Sequence, residues 1–190
     1  MRNTAFTFLI GLVLLAYSCV SFETRIIRKE ISKIRDSDIA NLDGKFSSMS
    51  FKFCSKKGEY EYLERELLME LNREKLSPPH PQTIESYYVK LIGLDTLWIQ
   101  GLDTSGSVVM DYKFPGYIKN GFFYLNNKFV DCNGIPYIIG GCRTEKTRIT
   151  LSKDKDLIVQ SAIDNSGAFL LIIGTGYTYN IATFFKPVNN

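Results

Sequence analysis

Residues 107–125 read SVVMDYKFPGYIKNGFFYL. Val108, Met110, Tyr112 and Phe114 recur at every second position, with Ser107, Asp111 and Lys113 on the alternate ones. A period of two puts successive side chains on opposite faces of a strand, so this is a β-strand with one apolar and one polar face. Asn120-Gly121 follows, and both residues tolerate positive φ, which favours a two-residue hairpin. Phe122 to Leu125 is the returning strand.

The same grammar extends in both directions. Upstream, Ile84 to Ile92 and Thr96 to Asp103, the latter carrying Trp98, read as strands, and Thr104-Ser105-Gly106 turns into the next one. Downstream come Lys128 to Cys132, a region broken by Gly134-Ile135-Pro136 and Gly140-Gly141, and an alternating run at Thr147, Ile149 and Leu151. Leu157 to Ile163 returns, and Asp164-Asn165-Ser166-Gly167 reads as a turn. Ala168 to Ile173 is a continuous apolar run, Gly174-Thr175-Gly176 a tight turn, and Tyr177 to Phe185 the last strand. A first strand is expected from Phe46, with Ser47, Met49, Phe51 and Phe53 on one face. One stretch changes period: Tyr60, Leu63, Leu67 and Leu71 form a helical stripe. An amphipathic helix is therefore expected over Glu59 to Leu76, stopped by Ser77-Pro78-Pro79.

The fold class that follows is mainly β: an antiparallel meander of about eight or nine strands, with one amphipathic helix after the first strand. Such a chain hides its edges by closing into a barrel or a strongly curved sheet. Its interior can be filled by side chains or can hold one small ligand. An open sheet curled around Glu59–Leu76 is the rival arrangement. Leu42-Asp43-Gly44-Lys45-Phe46 resembles the opening Gly-x-Trp of lipocalins, with Phe46 in place of Trp. The resemblance implies a barrel more than common ancestry; the later lipocalin motifs are absent, and the helix sits after the first strand rather than near the end.

The N-terminal stretch concerns location. Arg2 precedes an apolar run from Phe6 to Ala16, and Ala16-Tyr17-Ser18 ends it with small residues at both recognition positions, the layout of a secretory signal peptide. Ala16-Tyr17-Ser18-Cys19 resembles the lipobox of bacterial lipoproteins, with Tyr17 where a smaller residue is usual. The resemblance implies removal of residues 1–18 and attachment of diacylglycerol to Cys19. It further implies a membrane-anchored protein of the cell envelope, and Val20, not being acidic, implies the outer membrane of a Gram-negative bacterium. Three other readings stay open: ordinary cleavage at the same bond, releasing a free protein; an uncleaved anchor, for which the run is short of the ~20 apolar residues that span a bilayer; and a Cys that sits there by chance. Residues 19–41 are then expected to be a lipid-anchored, largely solvated tether, with a short amphipathic helix at Ile27, Ile31 and Ile34. Residues 42–190 are expected to be a single β-rich domain.

Composition and motifs exclude more than they assign. Net charge is +3 with both signs interspersed, so no nucleic-acid footprint is evident. Beyond Cys19 there are Cys54, Cys132 and Cys142. Export permits disulfides; Cys132 and Cys142 form the candidate pair, leaving Cys54 as a buried thiol. No Cys-x-x-Cys points to zinc or redox chemistry. His80 is the sole histidine and lies between prolines, which leaves no metal site and no nucleophile–base pair to build on. Gly174-Thr175-Gly176 is followed by strand rather than helix, unlike a phosphate loop. Glu85, Asp95, Asp103 and Asp111 have no spacing that selects a catalytic pair. No enzyme and no cofactor is expected. The aromatic residues are the remaining lead: most should pack the core, and Trp98, Tyr112 and Tyr124 are the candidate lining of a cavity for a hydrophobic ligand. The alternative is a structural or protein-interaction lipoprotein of the envelope with a filled core.

Overall fold

The alternation in residues 107–125 becomes β6 (Val108–Lys119) and β7 (Phe122–Leu125). The turn between them has φ 54° at Asn120 and 75° at Gly121, as a hairpin with two left-handed residues requires. The computed structural model describes residues 21–31, 35–56, 58–60, 64–71, 84–135, 139–169 and 173–188. The other strands are β1 (Asp43–Ser47), β2 (Lys52–Ser55), β3 (Gly58–Tyr60), β4 (Ser86–Ile92), β5 (Thr96–Leu102), β8 (Phe129–Ile135), β9 (Ile139–Leu151), β10 (Leu157–Phe169) and β11 (Ile173–Phe185). All pairings are antiparallel, in the order β1-β4-β5-β6-β7-β9-β10-β11-β2-β3, with β8 added on β9. The sheet curls so that β1 comes against the segment just past β11: Phe46 bridges Pro187, through Ser47 N–H to Lys186 O (2.9 Å) and Val188 N–H to Lys45 O (2.8 Å). The fold is therefore the mainly β, strongly curved meander expected from the alternation.

β6 changes partner in mid-course. It pairs β5 as far as Pro115 and β7 from Gly116. Proline has no N–H to give a ladder, so it suits this switch. A Cβ on Gly116 would collide with the Tyr124 carbonyl oxygen and the Phe123 ring.

Inside the curl lies the main core, with Phe46, Tyr87, Leu97, Ile99, Phe123 and Phe185 among its fully or nearly buried members. Leu67, Leu68 and Leu71 of a one-turn helix, α2 (Leu67–Leu71), enter it from one side, and Ile39 of α1 (Asp36–Ala40) joins them. A second cluster sits on the outer face, made of Ile27, Cys54, Phe122, Ile158, Ala182 and Phe184. β10 and β11 are thus buried on both faces, which explains why Leu157 to Ile163 is apolar with so little alternation.

Several expectations are corrected. The helix over Glu59–Leu76 is not there in that form: residues 58–60 are strand, paired with β2, and among the described residues of that stretch helix covers only Leu67–Leu71. Backbone pairing overrides the helical stripe, since Ser50 N–H bonds Arg65 O and Leu67 N–H bonds Ser48 O. Residues 61–63 and 72–83, including His80, lie outside the described residues. The first strand is split into β1 and β2, and the described residues form eleven strands. Neither Asp164–Gly167 nor Gly174–Gly176 is a turn. Asp164–Gly167 lies in β10, laddered to β9 and β11, and Gly174–Gly176 lies in β11, laddered to β10; these ladders outweigh local turn preference. The stretch expected to be a solvated tether is packed down: Ile27 is completely buried, and residues 21–31 run as a strap over the outer face of β9, β10 and β11. Residues 1–20, with Cys19, lie outside the described residues.

Candidate functional site

The strap is held by polar groups set into apolar strands. Arg148 of β9 is 4% exposed. Its Nε and Nη2 donate to Gln160 Oε1 at 2.8 and 2.6 Å, Nη1 to the Tyr124 hydroxyl at 2.9 Å and Nη2 to Thr24 Oγ1 at 3.0 Å. The guanidinium lies over the rings of Phe122 (3.8 Å), Phe22 (4.4 Å) and Tyr124 (5.6 Å). Planarity and five fixed donors suit arginine to such a stacked, forked position. Burial pushes its pKa down, partly opposed by the Tyr124 hydroxyl. Gln160 Nε2 donates to Glu23 O (3.0 Å), Glu23 N–H to Asn180 Oδ1 (2.8 Å), and Asn180 Nδ2 to Ser21 O (3.1 Å). Glu30 pairs with Lys52 and Glu23 with Lys56 at the flank. Burying Ile27 contributes about 1.5–3 kcal/mol more.

The three aromatics singled out from sequence stand in three places. Tyr124 belongs to the clasp, stacked on Tyr117 with ring centroids 5.2 Å apart. Tyr112 is tilted against Phe114 and packs on the main core. Trp98 is on the opposite face: register places it beside Lys113, whereas Tyr112 is beside Ile99. Its indole N–H donates to Asp111 Oδ1 (2.8 Å), Gln100 Nε2 donates to Asp111 Oδ2 (3.0 Å), and these bonds hold the Asp111 carboxyl below its usual range. Edge-on to Trp98 stands Tyr88. Its hydroxyl, with Lys90 Nζ (2.7 Å), donates to Asp43, and the Lys90 bond is the main cause of the lowered Asp43 pKa. These three aromatics therefore do not converge on one cavity.

Two carboxylates are buried at α2. Glu66 accepts the Tyr87 hydroxyl at 2.5 Å, and its Oε2 has no hydrogen-bond partner among the described residues. Glu70 accepts from Arg65 Nη1 (2.9 Å) and Thr183 Oγ1 (3.2 Å). Desolvation, then the Glu66 carboxylate, raises the Tyr87 pKa, so it remains a donor. With exposures of 7% for Glu66 and 4% for Glu70, the pair ties α2 to the curl and faces no substrate-accessible surface. Asp103 caps its own turn through Ser105 and Ser107. Among the described residues no three His, Cys, Asp or Glu gather as metal ligands.

Beyond the clasp, β8 to β11 continue as a four-stranded ribbon. Cys132 and Cys142 are joined across β8 and β9 by a disulfide, and Cys54 is a buried thiol. Tyr177 and Tyr179 stack on each other at 5.7 Å and are 58% and 37% exposed. Sequence reasoning missed Arg148, Gln160 and Asn180. The available signal was a polar residue in the middle of each apolar strand, where an unpaired polar group would be costly. No protein-family model, curated protein or solved structure matches the chain.

Proposed function

We propose that the chain is an exported lipoprotein, acylated at Cys19 after loss of residues 1–18 and held at the outer membrane. Its domain works there as a structural or protein-interaction module, not as a carrier or an enzyme. The observation that supports this most is the packing of the curl by Phe46, Tyr87, Leu97, Ile99, Phe123 and Phe185 together with the α2 leucines. A carrier needs apolar lining around a space of a few hundred Å³, and here the lining residues touch one another. The scatter of Trp98, Tyr112 and Tyr124 over different faces weighs the same way. On this reading the domain stands close to its anchor, since Cys19 is two residues before Ser21, a reach of roughly 7 Å at most.

Native mass spectrometry of protein taken from membranes tests the choice between module and carrier. The mass of the acylated chain alone is expected after detergent exchange. A hydrophobic small molecule retained at one equivalent would overturn the module reading in favour of the carrier.

A further inference from the structure

Register sets Tyr124, Arg148, Gln160, Ala182 and Cys54 in one row across five strands of the outer face. Ile158 and Phe184 stand in the row on one side of it, and Asn180 in the row on the other. The polar members hold one another without the strap. Arg148 is bonded twice to Gln160, once to the Tyr124 hydroxyl, and stacked on Phe122, and none of these partners belongs to residues 21–31.

What this face offers outward is recognition of an extended main chain. Of the four hydrogen bonds that Arg148, Gln160 and Asn180 make to the strap, three go to its backbone, at Ser21 O, Glu23 N–H and Glu23 O. The fourth goes from Arg148 to Thr24 Oγ1. An amide side chain carries donor and acceptor together, so Asn180 can serve both kinds of backbone group. Phe22 covers the Arg148 guanidinium, and Ile27 packs among Cys54, Phe122, Ile158, Ala182 and Phe184.

The strap sits there as a ligand would. It has one 3₁₀ turn, Thr24–Ile27, and no strand. Among the described residues its one main-chain bond to the domain is Lys153 N–H to Glu30 O (2.9 Å). At the rim its acidic side chains meet basic ones: Glu30 meets Lys52 at 2.9 Å and Glu23 meets Lys56 at 3.0 Å. Such an element can leave without breaking a sheet ladder. Its departure bares the apolar outer cluster, which then needs another cover.

From this arrangement we infer that the outer face is a receptor site for an extended segment. It is filled in cis by residues 21–31 and, between crowded copies, by the same residues of a second copy. Fit selects that occupant. The site takes an aromatic ring over Arg148, a hydroxyl two residues later, an isoleucine three residues after that, and acidic side chains opposite Lys52 and Lys56. A second copy carries all of these by identity, and exchanging an identical element replaces each contact by its equal. Within one chain a tethered segment competes at an effective concentration on the order of millimolar, so exchange belongs to copies packed at that density. The inference rests on the reading of the domain as an interaction module and names its partner.

The test uses the wild-type full chain, so no variant has to fold. Ordinary and heavy-nitrogen preparations are mixed in equal amounts at about 1 mM and treated with a carbodiimide. This reagent joins a carboxylate to an amine already in contact with it, here Glu23 to Lys56 and Glu30 to Lys52. Digestion and mass spectrometry then read the isotopic origin of each linked pair. Exchange predicts mixed pairs that are scarce in dilute solution and rise with concentration toward about half of all pairs. Pairs of one isotope only, at every concentration, overturn the exchange. So do mixed pairs no more frequent than those joining Lys56 to carboxylates off the strap, which report chance collision. Absence of both links overturns the receptor site itself. Native mass spectrometry of the same sample reads retained small molecules separately. Mixed pairs on a chain that retains a hydrophobic molecule keep the exchange and overturn the module reading. Uniform pairs on a chain that retains none overturn the exchange and leave that reading standing.

Discussion

Replacing Arg148 by lysine keeps the positive charge and removes the fork. A lysine ammonium can serve Gln160, but it cannot also reach Tyr124 and Thr24, which Arg148 meets at 2.9 and 3.0 Å. Two buried hydrogen bonds at ~0.5–1.5 kcal/mol each, and stacking on Phe122 and Phe22 worth ~0.5–1 kcal/mol in all, give a loss of about 1.5–4 kcal/mol. With a urea dependence near 2 kcal/mol per molar, the midpoint should fall by roughly 0.8–2 M. The loss should be seen first at the strap. The amide of Glu23, bonded to Asn180, and those of Glu30 and Ile31, bonded to Ile27 O, should exchange with solvent about 10-fold faster or more, since each ~1.4 kcal/mol is tenfold in an opening equilibrium. The amides of β4 and β5 should follow only the global change. Thr24→Val, which removes one bond, should show the same pattern at smaller amplitude. An Arg148→Lys variant with wild-type midpoint and unchanged strap exchange would refute the view that this residue clasps the strap.

Gly116→Ala should cost about 3 kcal/mol, the upper end for overpacking, because a backbone carbonyl is in the way; calorimetry should show Tm lowered by roughly 6–12 °C. Tyr87→Phe strips Glu66 of its one assigned donor and should cost ~1.5–3 kcal/mol in urea titration, as expected for a bond to a buried charge. For Asp43 the sign follows from its lowered pKa: the ionised carboxylate is the form favoured by folding. Its contribution is therefore fully present above 3.8, the ordinary value, and is lost as pH falls through the lower folded value. Thermal melts should show a gap between wild type and Asp43→Asn that is constant from about pH 5 to pH 7 and closes in more acid solution.

How much of this could be read from the residues depends on where the physics is local. The period of two at Val108–Phe114 and the Asn120-Gly121 hairpin are short-range signals, and both are in the structure. The segment after β1 is different. Tyr60, Leu63, Leu67 and Leu71 have helical spacing, but residues 64–67 bond to residues 48–50, and spacing along one segment says nothing about a partner elsewhere. Asp164-Asn165-Ser166-Gly167 is built of turn formers, and yet two neighbouring strands fix it as extended backbone. Of the candidate site, the Cys132–Cys142 pair was legible because the two cysteines flank a short hairpin. The clasp was not, since Arg148, Gln160 and Asn180 matter only once residues 21–31 lie across them, and charge alternation in that stretch looks like solvated linker.

The most direct measurement is the mass of the mature N-terminal peptide from membrane-isolated protein, made beside a Cys19→Ser variant fractionated in the same way. The account predicts a chain that starts at Cys19 and carries diacylglycerol, found in the outer-membrane fraction, and a Cys19→Ser variant that is no longer processed to that acylated chain. An unmodified Cys19, or a mature chain beginning at another residue, would contradict it.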